Sequence, residues 1–267
     1  MDTWAFIEHF READVRTLAL QATKYPEVNR EFALDQIAGW QMAKMKLPSY
    51  AQIPQLHYPH HLSMEQCSSE QTARYKTRII AESKDLHSFC DLTSGFGVDF
   101  SFVAPLFKEA HYVEKQAYLC ELARHNLPLL WKTPPTSAKA EFSFSIHHDD
   151  CNEFLQQMQP VDWIFLDPAR RDAHGGKVVS IPDCEPNVQT LESLLLQKAK
   201  HVMVKLSPML DISQALRDLR HIQEIHVVAV NNECKELLLL LAQEPTPKEQ
   251  IRLHSINLQK EEQSFTF

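Results

Sequence analysis

From about Leu86 to Leu241 the chain alternates short apolar runs with amphipathic helical patterns, and that alternation leaves few folds open. Strands are expected at Ser88–Leu92, His111–Glu114, Phe142–His147, Asp162–Asp167, His201–Leu206 and Glu224–Asn231. Helical patterns fall between them, notably Lys115–Asn126, Val188–Ala199 and Ile212–His221. A strand that must cross over to a parallel neighbour does so through a helix. This pattern therefore predicts an α/β fold with a doubly wound, mainly parallel sheet covered on both faces. After the sixth strand, Asn231-Asn232 can turn the chain into the apolar run Cys234–Leu241. A hairpin there adds an antiparallel edge strand; a helix is the competing reading, because leucine repeats suit either.

Residues 1–85 have a different texture, without a convincing strand, and are expected to form a helical N-terminal region ahead of a catalytic domain at 86–267. Thr3 can cap a helix to about Ala22, and a second helix runs from Asn29 to Lys46, before Pro48. Residues 48–64, with three prolines and the cluster His57, His60 and His61, read as an extended connection. That histidine cluster has no partner acid at ligand spacing and reads as loop surface, so no metal site is expected. Ser68 followed by Gln71 gives a capping-box start for a third helix, to about Lys84. On it, Glu70, Thr72, Arg74 and Lys76 either form a solvated face or close over the cleft that follows. Residues 243–267 include a candidate strand, Ile251–Leu258, and read as the opening of a further C-terminal module.

The formal net charge of −8 argues against a strongly basic protein that coats nucleic acid, while leaving room for a local basic cleft. The N-terminus lacks the basic-then-apolar layout of a signal peptide, and the longest aliphatic stretch, Leu237–Ala242, is far too short to cross a bilayer. The six scattered cysteines form no Cys-x-x-Cys pair and read as reduced thiols, so a cytoplasmic protein is expected.

Asp91 to Asp99 read Asp-Leu-Thr-Ser-Gly-Phe-Gly-Val-Asp and hold two of the five glycines in the chain. A strand, a Gly-x-Gly turn and a helix make a nucleotide-cofactor site. The turn presents backbone N–H groups, and the helix N-terminus favours negative groups. In a doubly wound sheet the ligand lies at the carboxyl ends of the strands, so the residues just after each strand carry the information. The first strand supplies Asp91, Thr93, Gly95 and Gly97. The second ends at Glu114, about 20 residues beyond the turn, where an acid can accept both ribose hydroxyls. The third ends near Asp149, Asp150 and Cys151, the fourth at Asp167-Pro168-Ala169-Arg170, and the fifth at Lys205. Taken singly, Glu114 reads more readily as a solvated loop acid and Asp149 or Asp150 as a helix cap, while Asp167-Pro168 reads equally as an ordinary turn. Their order along the chain favours the joint reading.

With these residues in hand, the segment Leu86–Leu241 resembles the class I S-adenosylmethionine-dependent methyltransferases, which have a Rossmann-like fold. A dehydrogenase would carry a third glycine where Phe100 stands. The resemblance implies that Asp91, Thr93, Gly95 and Gly97 surround the methionine part of S-adenosylmethionine. It further implies that Glu114 holds the ribose, and that Asp150 with the Cys151 backbone meets the adenine. Phe96 departs from the pattern and could narrow the turn. The strings Asp-Leu-Thr-Ser-Gly-Phe-Gly-Val-Asp and Phe-Leu-Asp-Pro-Ala-Arg-Arg also look like a bacterial methyltransferase group in which a THUMP-like domain follows the catalytic one. Such modules dock RNA, so the resemblance implies an RNA substrate (tRNA or rRNA). The chain ends at Phe267 with no room for that module. Either the sequence is a piece of a longer protein, or the RNA inference fails.

Methyl transfer from a sulfonium is an in-line displacement that needs alignment and exclusion of water more than dedicated catalytic groups. Related base-methylating enzymes carry Asp/Asn-Pro-Pro-aromatic after strand four. Here Asp167 keeps the acceptor role while Arg170 replaces the stacking aromatic. Asp167 and Arg170 are the candidate catalytic residues, and Pro168, Arg171 and Lys205 the candidate substrate contacts. The arginines suit phosphate or carboxylate, or else an ion pair with Asp172. The connection Pro168–Asn187, with Gly175-Gly176, reads as a substrate lid. Cys184, flanked by Asp183 and Glu185, is not expected to be a nucleophile. The rival readings are a methyltransferase acting on a small acidic metabolite, and a relic that binds cofactor or partner without turnover.

Overall fold

The structure is a computed structural model describing residues 1–21, 24–131, 142–170, 180–259 and 262–267. The N-terminal region is helical: α1 (Thr3–Phe10), α2 (Val15–Gln21), α3 (Arg30–Lys46), α4 (Pro48–Ala51), α5 (His61–Gln66) and α6 (Glu70–Ala81). The single helix expected from Thr3 is broken after Phe10, because Asp14 accepts the N–H of Thr17 and starts a new one. Asn29 caps α3 as its side chain suggests. The proline-rich connection contains two short helices, one with Pro48 in its first turn, where the missing N–H costs nothing. Ser69 rather than Ser68 caps α6.

The alternating segment then gives β1 (Ser88–Asp91), α7 (Val98–Val103), β2 (Glu109–Glu114), α8 (Ala117–Leu130), β3 (Ser143–His148), α9 (Cys151–Gln157) and β4 (Val161–Leu166). A two-residue pair, β5 (Ala169–Arg170) with β6 (Cys184–Glu185), precedes α10 (Val188–Lys198), β7 (Ala199–Leu206) and α11 (Ile212–Asp218). The chain closes with β8 (Ile222–Val230), β9 (Glu233–Ala242), β10 (Arg252–Leu258) and β11 (Gln263–Thr266).

Among the described residues, nine strands form one sheet in the order β11-β10-β8-β9-β7-β4-β1-β2-β3. From β7 through β4 and β1 to β3 every pairing is parallel. Order reverses beside β1, the point where such sheets hold ligands. Alternate residues of each strand feed two cores. Cys90, Ile164, Val202 and Val204 join one cluster; Phe89, Phe100, Tyr112, Trp163 and Met203 join another.

The Asn231-Asn232 turn forms with both residues at positive φ, and Cys234–Leu241 is strand, not helix. Its place differs from the expected edge. β9 lies between β7 and β8, antiparallel to both, and β10 with β11 extends the sheet beyond. Burial explains this: Leu237, Leu238, Leu239 and Leu241 are all buried, and a run that is apolar on both faces belongs inside a sheet. Residues 252–258 pair with β8 in the same sheet and lead into the antiparallel β11 edge.

Candidate active site

The carboxyl ends of β1, β2, β4 and β7 open on a cleft of about 740 Å³. Its lining includes Asp91, Thr93, Gly95, Gly97, Glu114, Asp150, Cys151, Asp167, Pro168 and Lys205. The structure therefore brings together every candidate site residue except Arg170 and Arg171. The backbone of Arg170 is in β5; Arg171 lies outside the described residues, as do Gly175 and Gly176 of the expected lid.

The turn after β1 is built by its own polar atoms. Gly95 has φ +55° and Gly97 φ +82°, both in the left-handed region that favours glycine. A Cβ on Gly97 would stand 3.1 Å from the Tyr112 ring, whereas one on Gly95 would make only an ordinary contact, 3.9 Å from the Thr93 carbonyl oxygen. Asp91 accepts the N–H of Thr93 at 3.0 Å, and the Ser94 hydroxyl donates to the Asp91 carbonyl at 3.0 Å. Glu114 ties the turn to the next strand, accepting from Gly95 N at 3.0 Å and from Gln116 N at 2.8 Å. It is thus a buried, oriented carboxylate and not a solvated loop acid. Asp150 is a helix cap that also faces the cleft. Its Oδ1 caps α9 through Asn152 N at 2.8 Å, while the residue lines the cleft. Burial pushes the Cys151 thiol up to about 12, which leaves its backbone as the useful group.

Asp167 is fixed from two sides. Its backbone N–H donates to Thr93 Oγ1 at 2.7 Å, and its Oδ2 accepts from Lys205 Nζ at 2.5 Å. Burial raises its carboxyl above the ordinary range, the Lys205 ammonium opposes this, and Asp99 and Glu236 add to it. For Lys205, burial favours the neutral amine but is outweighed by Asp167, Glu236 and Asp99, so it stays a cation.

Beneath this pair lies a network that sequence reasoning missed. Lys76, fully buried, reaches Glu236 at 2.6 Å and Asp99 at 3.1 Å. Ser68 donates to Asp99 at 2.6 Å. Lys76 is thus neither on a solvated face nor over the cofactor; it is a counter-ion below the cleft floor. The signal available was a lysine at the inward period of α6, where only a buried acid could satisfy it. Phe96 lines the cleft from one side. It packs into a helical cluster with Leu47, Tyr50 and Met64, with its ring 5.8 Å from that of Tyr50. The histidines of the 57–61 stretch disperse: His60 bonds Asp35 at 2.6 Å and His57 stacks on His125.

The crowded carboxylates of the cleft suit a ligand that carries positive charge. Burial holds Asp91 well above the ordinary range, and Asp99, Asp167 and Glu114 push it further. A cation placed there would offset that crowding.

No family model and no curated protein matches the chain. Among solved structures, a candidate methyltransferase from Porphyromonas gingivalis W83 is 32% identical with a TM-score of 0.81. The match covers 99% of this chain and 64% of that protein. A candidate class I S-adenosylmethionine-dependent methyltransferase from Listeria monocytogenes is 12% identical with a TM-score of 0.54. It covers 95% of this chain and 93% of its own, and shows likeness of fold. The chain therefore shares its fold with both proteins along nearly its whole length, and it spans less than two thirds of the Porphyromonas gingivalis protein.

Proposed function

We propose that the protein is a methyltransferase that moves the methyl group of S-adenosylmethionine to a nucleophile held at Asp167, and that the nucleophile belongs to RNA. One observation carries the first part: Asp167, fixed by Thr93 and Lys205, opens on the same cleft as the Gly95–Gly97 turn and Glu114. Glu114 and Asp150 would hold the ribose and adenine, and Asp91 and Gly95 the methionine end. The cofactor supplies an electrophilic methyl on a sulfonium. The chain's part is to align the acceptor, exclude water and receive a proton.

Asp167 suits that last role. With Lys205 on Oδ2, its other oxygen is left to accept from an N–H or O–H of the acceptor. The raised carboxyl brings its proton affinity closer to working pH. Pro168 lines the cleft beside it, and the backbone of Arg170 stands in β5 close by. The RNA part rests on the resemblance to a group that carries an RNA-docking module. A cytoplasmic setting is supported by six free cysteines. Among the described residues no helix is long and apolar enough to cross a membrane.

The test has two stages. Calorimetry should show S-adenosylmethionine binding to the wild type, weakened at least about tenfold in Glu114→Ala, where a buried charge-assisted contact is lost. Labelled methyl transfer to total RNA should then fall about 100-fold or more in Asp167→Asn with binding retained. Labelling of small acids instead of RNA would overturn the substrate. Cofactor binding with no transfer to either would favour a non-catalytic relic, and no binding would end the proposal.

A further inference from the structure

A second cavity, of about 490 Å³, shares no lining residue with the cofactor cleft. On its wall, His226 of β8 stands directly opposite His254 of β10, and Glu224 opposite Arg252, in the parallel register of the two strands. Residues i and i+2 of a strand share a face, so Glu224 and His226 point the same way. The two imidazoles stack with centroids 4.4 Å apart and planes 18° apart.

We propose that Glu224, His226 and His254 bind one divalent transition-metal ion, with zinc the best match. Three features carry this. Both Nε2 atoms stand 3.3 Å from the same oxygen, Glu224 Oε2, and the three ligand atoms lie within 4.8 Å of one another. Bonds of about 2.0–2.1 Å to a tetrahedral zinc put neighbouring ligands roughly 3.3–3.4 Å apart. His226 is 4% exposed, and neither Nε2 has a hydrogen-bond partner among the described residues.

The opposite ring nitrogens are both engaged. His226 Nδ1 bonds Tyr75 Oη at 2.8 Å, and His254 Nδ1 bonds Thr266 Oγ1 at 3.0 Å. When Nδ1 carries the proton, each Nε2 lone pair is left facing the carboxylate. That is the outer-contact pattern that orients metal-binding histidines. Arg252 pairs with the other oxygen of Glu224 and competes for its charge. The ion would fasten β10, and through Thr266 β11, onto β8, and it leaves a fourth position toward the cavity.

The test uses the full chain freed of metal, with zinc partitioned against a chromogenic chelator and cobalt as a spectroscopic probe. The expected result is one zinc per chain and cobalt absorption in the visible range typical of low-coordinate sites. Binding should fall at least tenfold in His254→Ala and in Glu224→Gln, stay unchanged in His60→Ala, and tighten in Arg252→Gln. Glu224→Gln keeps the shape of the side chain, so it separates loss of a ligand from misfolding. A wild type that holds no zinc, or zinc held equally by Glu224→Gln, overturns the proposal.

Discussion

Asp91 lines the cleft and is a carboxylate that the fold buries at a cost. It is 1% exposed, and its carboxyl is held well above the ordinary range, first by burial and then by Asp99, Asp167 and Glu114, against the N–H of Thr93. A raised carboxyl binds its proton more tightly in the folded chain than in the unfolded one. The associated stability is therefore complete below the ordinary value of 3.8 and is lost as pH rises through the folded-state value. Asp91→Asn keeps an acceptor for Thr93 and removes the charge. It should melt higher than the wild type near neutral pH, by about 1 kcal/mol of stability, with the gap closing as pH falls. The same variant should bind S-adenosylmethionine more weakly, since the cation loses a counter-charge. A melt lower than wild type near neutral pH would show instead that Asp91 is a stabilising anion.

Elements were readable in the sequence where one physical signal dominated. Asn29 and Pro48 fixed the ends of α3, and the Asn231-Asn232 turn fixed the β8–β9 hairpin, because local chemistry decides caps and tight turns. Strand order was not readable: the position of β9 follows from burial on both faces, a property of its neighbours. In the site, Gly95, Gly97, Glu114, Asp150 and Asp167 were readable because the sheet places strand ends together. Lys76, Asp99 and Glu236 were not, since they meet from α6, α7 and β9 without a motif. That network predicts how α6 is attached. Lys76 is fully buried and Glu236 4% exposed in their side chains, so removing one partner strands the other without solvent. Lys76→Met should destabilise by about 3–5 kcal/mol, and adding Glu236→Gln should recover part of it. Equal melting of Lys76→Met and wild type would mean that water reaches the pair.

The same contacts bear on whether residues 1–85 and 86–267 are separate folding units. Counter-ions cross the proposed boundary from Lys76 to Glu236 and Asp99, and Ser68 reaches Asp99. Tyr50 shares a 2.8 Å hydrogen bond with Ser101, and the backbone of His57 exchanges bonds with the Asn126 side chain at 3.0 and 2.7 Å. Apolar packing crosses it as well, since Phe96 and Val98 sit in one cluster with Ala43, Leu47 and Tyr50. A boundary of this kind lacks the exposed, weakly contacted linker that marks independent domains. We therefore expect the whole chain to melt in a single calorimetric transition, with equal calorimetric and van't Hoff enthalpies. A fragment of 86–267 would keep the sheet but leave Asp99 and Glu236 buried without Lys76, and Phe96 without its partners. It should show strand signal, bind a hydrophobic dye and lack a cooperative melt. Two resolved transitions in the whole chain, or a fragment that melts cooperatively and binds S-adenosylmethionine, would instead make the helical region a separate unit docked beside a self-sufficient catalytic domain.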